Sequence, residues 1–193
     1  RPGAAVASQN VPSVPDTWID AGSNATHHSA NHLMIGCQSS ACPKTTMLSF
    51  PLSELPSPAN SRISSAELGL YTVSVNTSSS GHSPRISVHR TLPNWNGSAN
   101  GNSWDGDATN NSSTMWHTSG GIGSSDIGPL VDVGVPISSN WFKMNVTEIV
   151  HAALTDGDDK VNVSLRSATN LYAEAMFFSA DYIWESYRPY LKV

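Results

Sequence analysis

Apolar residues recur along this chain with a spacing of two, in short runs separated by turn-forming residues. Alternate side chains of a strand point to opposite faces, so each run predicts a strand. The runs are Thr17–Ile19, His32–Ile35, Thr46–Phe50, Ala66–Val75, Ile86–Arg90, Leu130–Val133, Trp141–Val146, Val161–Leu165, Ala175–Ser179 and Pro189–Val193. In the longest, Leu68, Leu70, Thr72 and Ser74 share one face, and Glu67, Gly69, Tyr71, Val73 and Val75 share the other. Both faces carry apolar groups, as in an inner strand of a sandwich. Only Thr147 to Leu154 has helical spacing, with Val146, Ile149, Val150, Ala153 and Leu154 on one stripe. About ten strands with turn signals between them and one short helix predict an all-β antiparallel β-sandwich. Its expected core holds Leu48, Phe50, Leu68, Leu70, Ile86, Val88, Phe142 and Leu165.

Two stretches fall outside this pattern. Residues 1–15 are rich in Ala, Val, Ser and Pro, with Pro2, Pro12 and Pro15. Proline cannot donate to a sheet ladder, so they read as an extended N-terminal arm rather than a core strand. The division expected is an arm over 1–15 and a single β-sandwich domain over 16–193. Residues 93–128 are rich in Gly, Asn and Ser and hold three of the six tryptophans, Trp95, Trp104 and Trp116. A structureless loop of that length is uncommon in a compact domain, so these rings are expected to pin it.

Composition narrows the setting. With 193 residues and 38% apolar content, the chain has the size and the apolar groups of one domain. The net charge is −5 and no block of five or more Lys/Arg occurs, which excludes a nucleic-acid partner from the reading. No apolar run approaches the roughly 18 residues needed to span a bilayer. The 31 Ser, 13 Thr and 15 Asn set against ten Lys and Arg resemble secreted β proteins, so an extracellular or cell-surface location is expected. The only cysteines, Cys37 and Cys42, bracket Gln-Ser-Ser-Ala. In an oxidising compartment this spacing predicts a small looped disulfide, with two free thiols as the alternative. Zinc has no second Cys pair to complete its four ligands.

The order of segments resembles a known family. Asp16-Thr17-Trp18-Ile19 and His32 to Gly36 resemble its opening strands. Met47 to Pro56 resembles its "LLRFDLSSLP" segment, and Ile63 to Tyr71 its "ItSAtLrLY". Ile86 to Arg90 followed by Trp95 and Trp104, then Trp141 to Val150, resemble two further motifs. Phe177-Phe178-Ser179 and Arg188 to Val193 resemble its "fySsE....PyL.V" ending. The chain is thus similar to the DNRLRE-domain family, which overlaps carbohydrate-binding module family 96, over residues 16–193. The resemblance implies a jelly-roll-like sandwich on extracellular or cell-surface proteins, without a catalytic role. It also implies acidic-polysaccharide binding in some relatives. The Arg and Asp of "RFD" are replaced here by Ser49 and Pro51.

Several constellations could carry chemistry. Asn24, Asn76, Asn96, Asn110, Asn111, Asn145 and Asn162 each open an Asn-x-Ser/Thr glycosylation sequon. Composition alone predicts about three or four such sequons. The acidic turn Asp156-Gly157-Asp158-Asp159 offers oxygen ligands for calcium, the one cofactor the sequence suggests, against a plain solvated turn. His27, His28 and His32 form a weaker transition-metal pattern. Trp95, Trp104 and Trp116 are candidates to stack on sugar rings, with Tyr182, Trp184 and Tyr187 behind them. The competing role for Trp95 and Trp104 is as plugs of the loop. No nucleophile elbow or catalytic cysteine signature occurs, so no enzymatic activity is expected.

Two functions follow. The first is a non-catalytic, glycosylated subunit of a filament or cell-surface assembly, its partners being copies of itself. Ala4, Ala5, Val6 and Val11 of the arm would then pair with a sheet edge of the next copy. The alternative is a carbohydrate-binding module recognising an extracellular polysaccharide.

Overall fold

The structure is a computed structural model that describes residues 10–37, 43–55, 63–106, 113–169 and 172–193. Its strands are β1 (Asn10–Pro12), β2 (Asp16–Asp20), β3 (His32–Gly36), β4 (Lys44–Pro51), β5 (Glu67–Asn76) and β6 (Ile86–Thr91). They continue with β7 (Ile127–Gly134), β8 (Asn140–Asn145), β9 (Lys160–Ser167), β10 (Glu174–Phe178) and β11 (Tyr190–Lys192). The helix α1 (Thr147–Asp156) lies between β8 and β9. Each run of alternating apolar residues in the sequence has become one of these strands.

All pairings are antiparallel and join into one curled sheet. Its strands form two leaves. In the first, β5 has β8 on one side and β10 and β11 on the other, with β3 beyond β10 and β1 beyond β11. In the second, β4 lies between β2 and β9, followed by β6 and β7. A single register pair, Gly36 with Lys44, links the leaves through β3 and β4. One apolar core fills the space between them. Leu33, Leu68, Leu70, Phe142 and Phe177 come from the first leaf, and Leu48, Phe50, Ile86, Val88, Val163 and Leu165 from the second. All eight core residues expected from the alternation are buried. A two-leaf β-sandwich of this kind accounts for a period-two sequence with one short helix.

The helix forms where its stripe predicts, burying Ile149, Val150 and Ala153. Asn145 accepts hydrogen bonds from the backbone N–H and the hydroxyl of Thr147 at its start. It stops at Gly157, whose φ of 73° lies in the left-handed region that favours glycine.

The arm departs from the sequence reading. Asn10–Pro12 is a strand of the domain, paired with β11 of the same chain. Val11 is fully buried in the main core. Pro12 is tolerated because β1 is an edge strand, where a missing N–H breaks no inner ladder. Val11 therefore completes its own sheet rather than that of a neighbour. Ala4, Ala5 and Val6 lie outside the described residues.

Candidate functional site

The outer face of the first leaf carries the side chains that alternate with the core. Opposite the inward Leu70, Phe142, Phe177 and Leu191 stand Tyr71, Trp141, Phe178 and Tyr190. Register brings them together, since Tyr71 pairs with Trp141 across β5 and β8. The Tyr190 ring crosses Gly69, its register partner on β5, where an added Cβ would collide with the ring. Glycine at this position makes the close approach possible.

The segment between β10 and β11 folds back over this face and adds Tyr182, Trp184 and Tyr187. Tyr182 stacks on Phe178 with centroids 3.6 Å apart. From Tyr190 the rings run to Trp141 at 5.1 Å, to Tyr71 at 5.5 Å, to Tyr187 at 4.5 Å and to Trp184 at 6.1 Å. The segment is pinned at several points. Arg188 Nε donates to the Tyr182 carbonyl at 2.8 Å, and Ser179 Oγ to the Ala30 carbonyl at 2.7 Å. The Ala180 N–H donates to the Asp16 carboxyl at 2.6 Å. Burial pushes the Asp16 carboxyl up to about 7, with the nearby Asp181 charge adding to the shift and the hydrogen bond from Ala180 opposing it.

Large apolar groups remain open to solvent here: Trp184 is 59% and Ile183 77% exposed. A cleft of about 400 Å³ opens beside the rings, between Trp141 and Tyr190 on one side and Glu185, Ser186 and Arg188 on the other. Ion pairs line the face. Lys143 lies 3.2 Å from Glu67, and Arg188 lies 3.6 Å from Glu185. The Tyr190 hydroxyl donates to Glu67 at 3.3 Å. Burial raises the Tyr190 pKa, and the hydrogen bond to Glu67 raises that of Lys143. Neutral hydroxyls beside ring faces suit a ligand with both C–H surfaces and O–H groups.

The other sequence-predicted sites fall elsewhere. Trp95 and Trp116 are buried, at 2% and 4% exposure, in a second apolar cluster with Ile19, Met47 and Ala99. Trp104 packs partly buried against it. The described parts of the polar stretch, 93–106 and 113–128, therefore fold over the outer face of β2 and β4 with Trp95 and Trp116 inward. Trp116 Nε1 donates to the Asn100 carbonyl at 2.8 Å, and Asp126 accepts three backbone N–H groups from the same loop. Trp95 fills the plug role weighed for it, and neither Trp95 nor Trp116 has an open ring face for a sugar, which corrects the stacking assignment of both.

The calcium reading also changes. Arg90 donates to Asp156 at 2.6 Å and to Asp158 at 2.7 Å, so a guanidinium already joins these two carboxylates. Asp159 is exposed, and its carbonyl accepts the Leu52 N–H. Among the described residues no group of three His, Cys, Asp or Glu is placed to hold a metal. His27 instead stacks on Trp18 at 3.5 Å, and burial lowers its pKa against the opposing Asp20 charge.

Of the sequon residues, Asn24, Asn76, Asn96 and Asn145 are exposed. Asn162 is half-buried, with its Oδ1 shielded and unpaired. Asn110 and Asn111 lie outside the described residues. So does Cys42, and with it the Cys37–Cys42 pairing; the Cys37 N–H donates to the Ala173 carbonyl at 2.9 Å.

Sequence reasoning named Tyr182, Trp184 and Tyr187 but missed Tyr71, Trp141, Phe178 and Tyr190. The available signal was the alternation itself, which puts Tyr71 and Trp141 outward as neighbours of inward Leu70 and Phe142.

The family described as carbohydrate-binding module family 96 matches residues 7–193 of this chain. No curated protein matches it.

Proposed function

Because the chain belongs to carbohydrate-binding module family 96, we propose that it is a non-catalytic module that binds an extracellular polysaccharide on the aromatic face of its first leaf. The observation that carries this reading is the run of Tyr190, Trp141, Tyr71, Tyr187 and Trp184 beside an open cleft. Sugar C–H groups stack on the negative faces of such rings, and burying them there releases water. Ser186, Glu185 and Arg188 at the cleft supply donors and acceptors for hydroxyls.

The assembly reading has lost its described anchor, because Val11 is seated in its own core. The exposed sequons at Asn24, Asn76, Asn96 and Asn145 remain candidate glycan acceptors and fit an extracellular setting.

Affinity electrophoresis through gels containing soluble polysaccharides tests the binding site. Wild-type protein should be retarded by at least one polysaccharide. Trp141→Ala and Trp184→Ala should each weaken that retardation about tenfold or more. Retention by both variants equal to wild type would place the site elsewhere.

A further inference from the structure

The geometry points to the chemical class of this ligand: we infer that the aromatic face takes a single, soluble, uncharged glycan chain rather than a polyanion or a crystalline surface. This inference rests on the reading of the face as the binding site. Two independent observations support it, one electrostatic and one geometric.

The first is the charge on the face. Lys143 is held by Glu67 at 3.2 Å and Arg188 by Glu185 at 3.6 Å. Lys192 stands opposite Glu67 in the β5–β11 register. The exposed Asp181 opens the segment that carries Tyr182 and Trp184. Three bases, Lys143, Arg188 and Lys192, are thus set against three acids, Glu67, Asp181 and Glu185. A uronate or sulfate chain drawing on Lys143 or Arg188 has to compete with Glu67 and Glu185 for them. It would also approach a chain of net charge −5. Like charge and lost ion pairs both oppose it. Hydroxyls face no such competition, because they both donate to Glu67 and Glu185 and accept from Lys143 and Arg188.

The second is the arrangement of the rings. Successive planes meet at 59° between Tyr190 and Trp141, 87° between Trp141 and Tyr71, 51° between Tyr71 and Tyr187 and 54° between Tyr187 and Trp184. A crystalline polysaccharide presents a flat surface and needs coplanar rings to match it. Rings tilted this way contact one chain from several sides. The cleft between Trp141, Tyr190 and Arg188 gives that chain a concave seat.

The test compares four probes on the full chain: mixed-linkage β-glucan and galactomannan as soluble neutral chains, alginate as a polyuronate, and microcrystalline cellulose. Soluble probes are followed by affinity electrophoresis and cellulose by pull-down. The neutral chains are also measured in solution at about 10 mM and about 1 M NaCl, which changes the screening length from about 30 to about 3 Å. The expected result is retardation by a neutral chain, an affinity unchanged by salt within about twofold, and a loss of about tenfold or more in Trp141→Ala. Glu185→Gln, which removes the partner of Arg188, should begin to admit alginate. Salt-sensitive binding of alginate by the wild type, or retention on cellulose, would overturn the inference and leave the face as a binding site. Binding of none of the four probes would overturn both.

Discussion

Asp16 offers a sharp test of how the aromatic segment is tied to the fold. Its carboxyl is 3% exposed, accepts the Ala180 N–H at 2.6 Å, and lies near Asp181. Burial raises its pKa from 3.8 to about 7. The folded state thus keeps a proton between these values that the unfolded chain has released. Stability is unaffected by the group at low pH, falls as pH rises through that window, and is lowest above the folded pKa. The rise from 3.8 to about 7 corresponds to about 4 kcal/mol as an upper bound. Asp16→Asn keeps the shape and an acceptor for Ala180 but cannot ionise. Urea unfolding of both proteins at intervals from about pH 4 to about pH 8 isolates the effect, because the histidine contributions cancel in the difference. His27 and His89, both lowered by burial, push the other way in each protein, losing stability as pH falls. The variant should gain about 2–4 kcal/mol on wild type across the range, the gain appearing as pH rises. A difference that stays flat with pH, or a variant less stable than wild type at the alkaline end, would refute the reasoning.

Trp116→Ala should cost about 3–5 kcal/mol in chemical unfolding, from the cavity it leaves in the second cluster, and leave polysaccharide retardation unchanged in protein that stays folded. Gly69→Ala should force the Tyr190 ring off the sheet, costing about 1–3 kcal/mol of stability and weakening polysaccharide binding. If Cys37 and Cys42 form a disulfide, intact mass should rise by two hydrogens on reduction, and thiol alkylation of the unreduced, unfolded chain should leave both unlabelled. Alkylation of both before reduction would establish free thiols.

The sequence by itself determined which segments are strands and which of their side chains face inward. Alternation places Leu68 and Leu70 opposite Gly69 and Tyr71 whatever the partner strands are, because side-chain direction along a strand is a local property. The helix was legible for the same reason, from a stripe ending at a glycine. What tertiary structure decided is where three-dimensional neighbours come from. The length of the polar stretch called for its tryptophans to pin it, but nothing local named Ile19 and Met47 as the groups they would cover. Only the fold put Trp95 and Trp116 inside. Asn10–Pro12 is too short and too proline-flanked to announce a strand, and it becomes one because β11 leaves an edge open to it. The aromatic face draws on β5, β8, β10, β11 and the segment before β11, positions separated by up to 119 residues between Tyr71 and Tyr190. No local pattern links them. They meet because strand register sets Tyr71 against Trp141 and Gly69 beneath Tyr190. Register is fixed by the packing of the whole core, since a slip of one residue would turn every buried side chain outward.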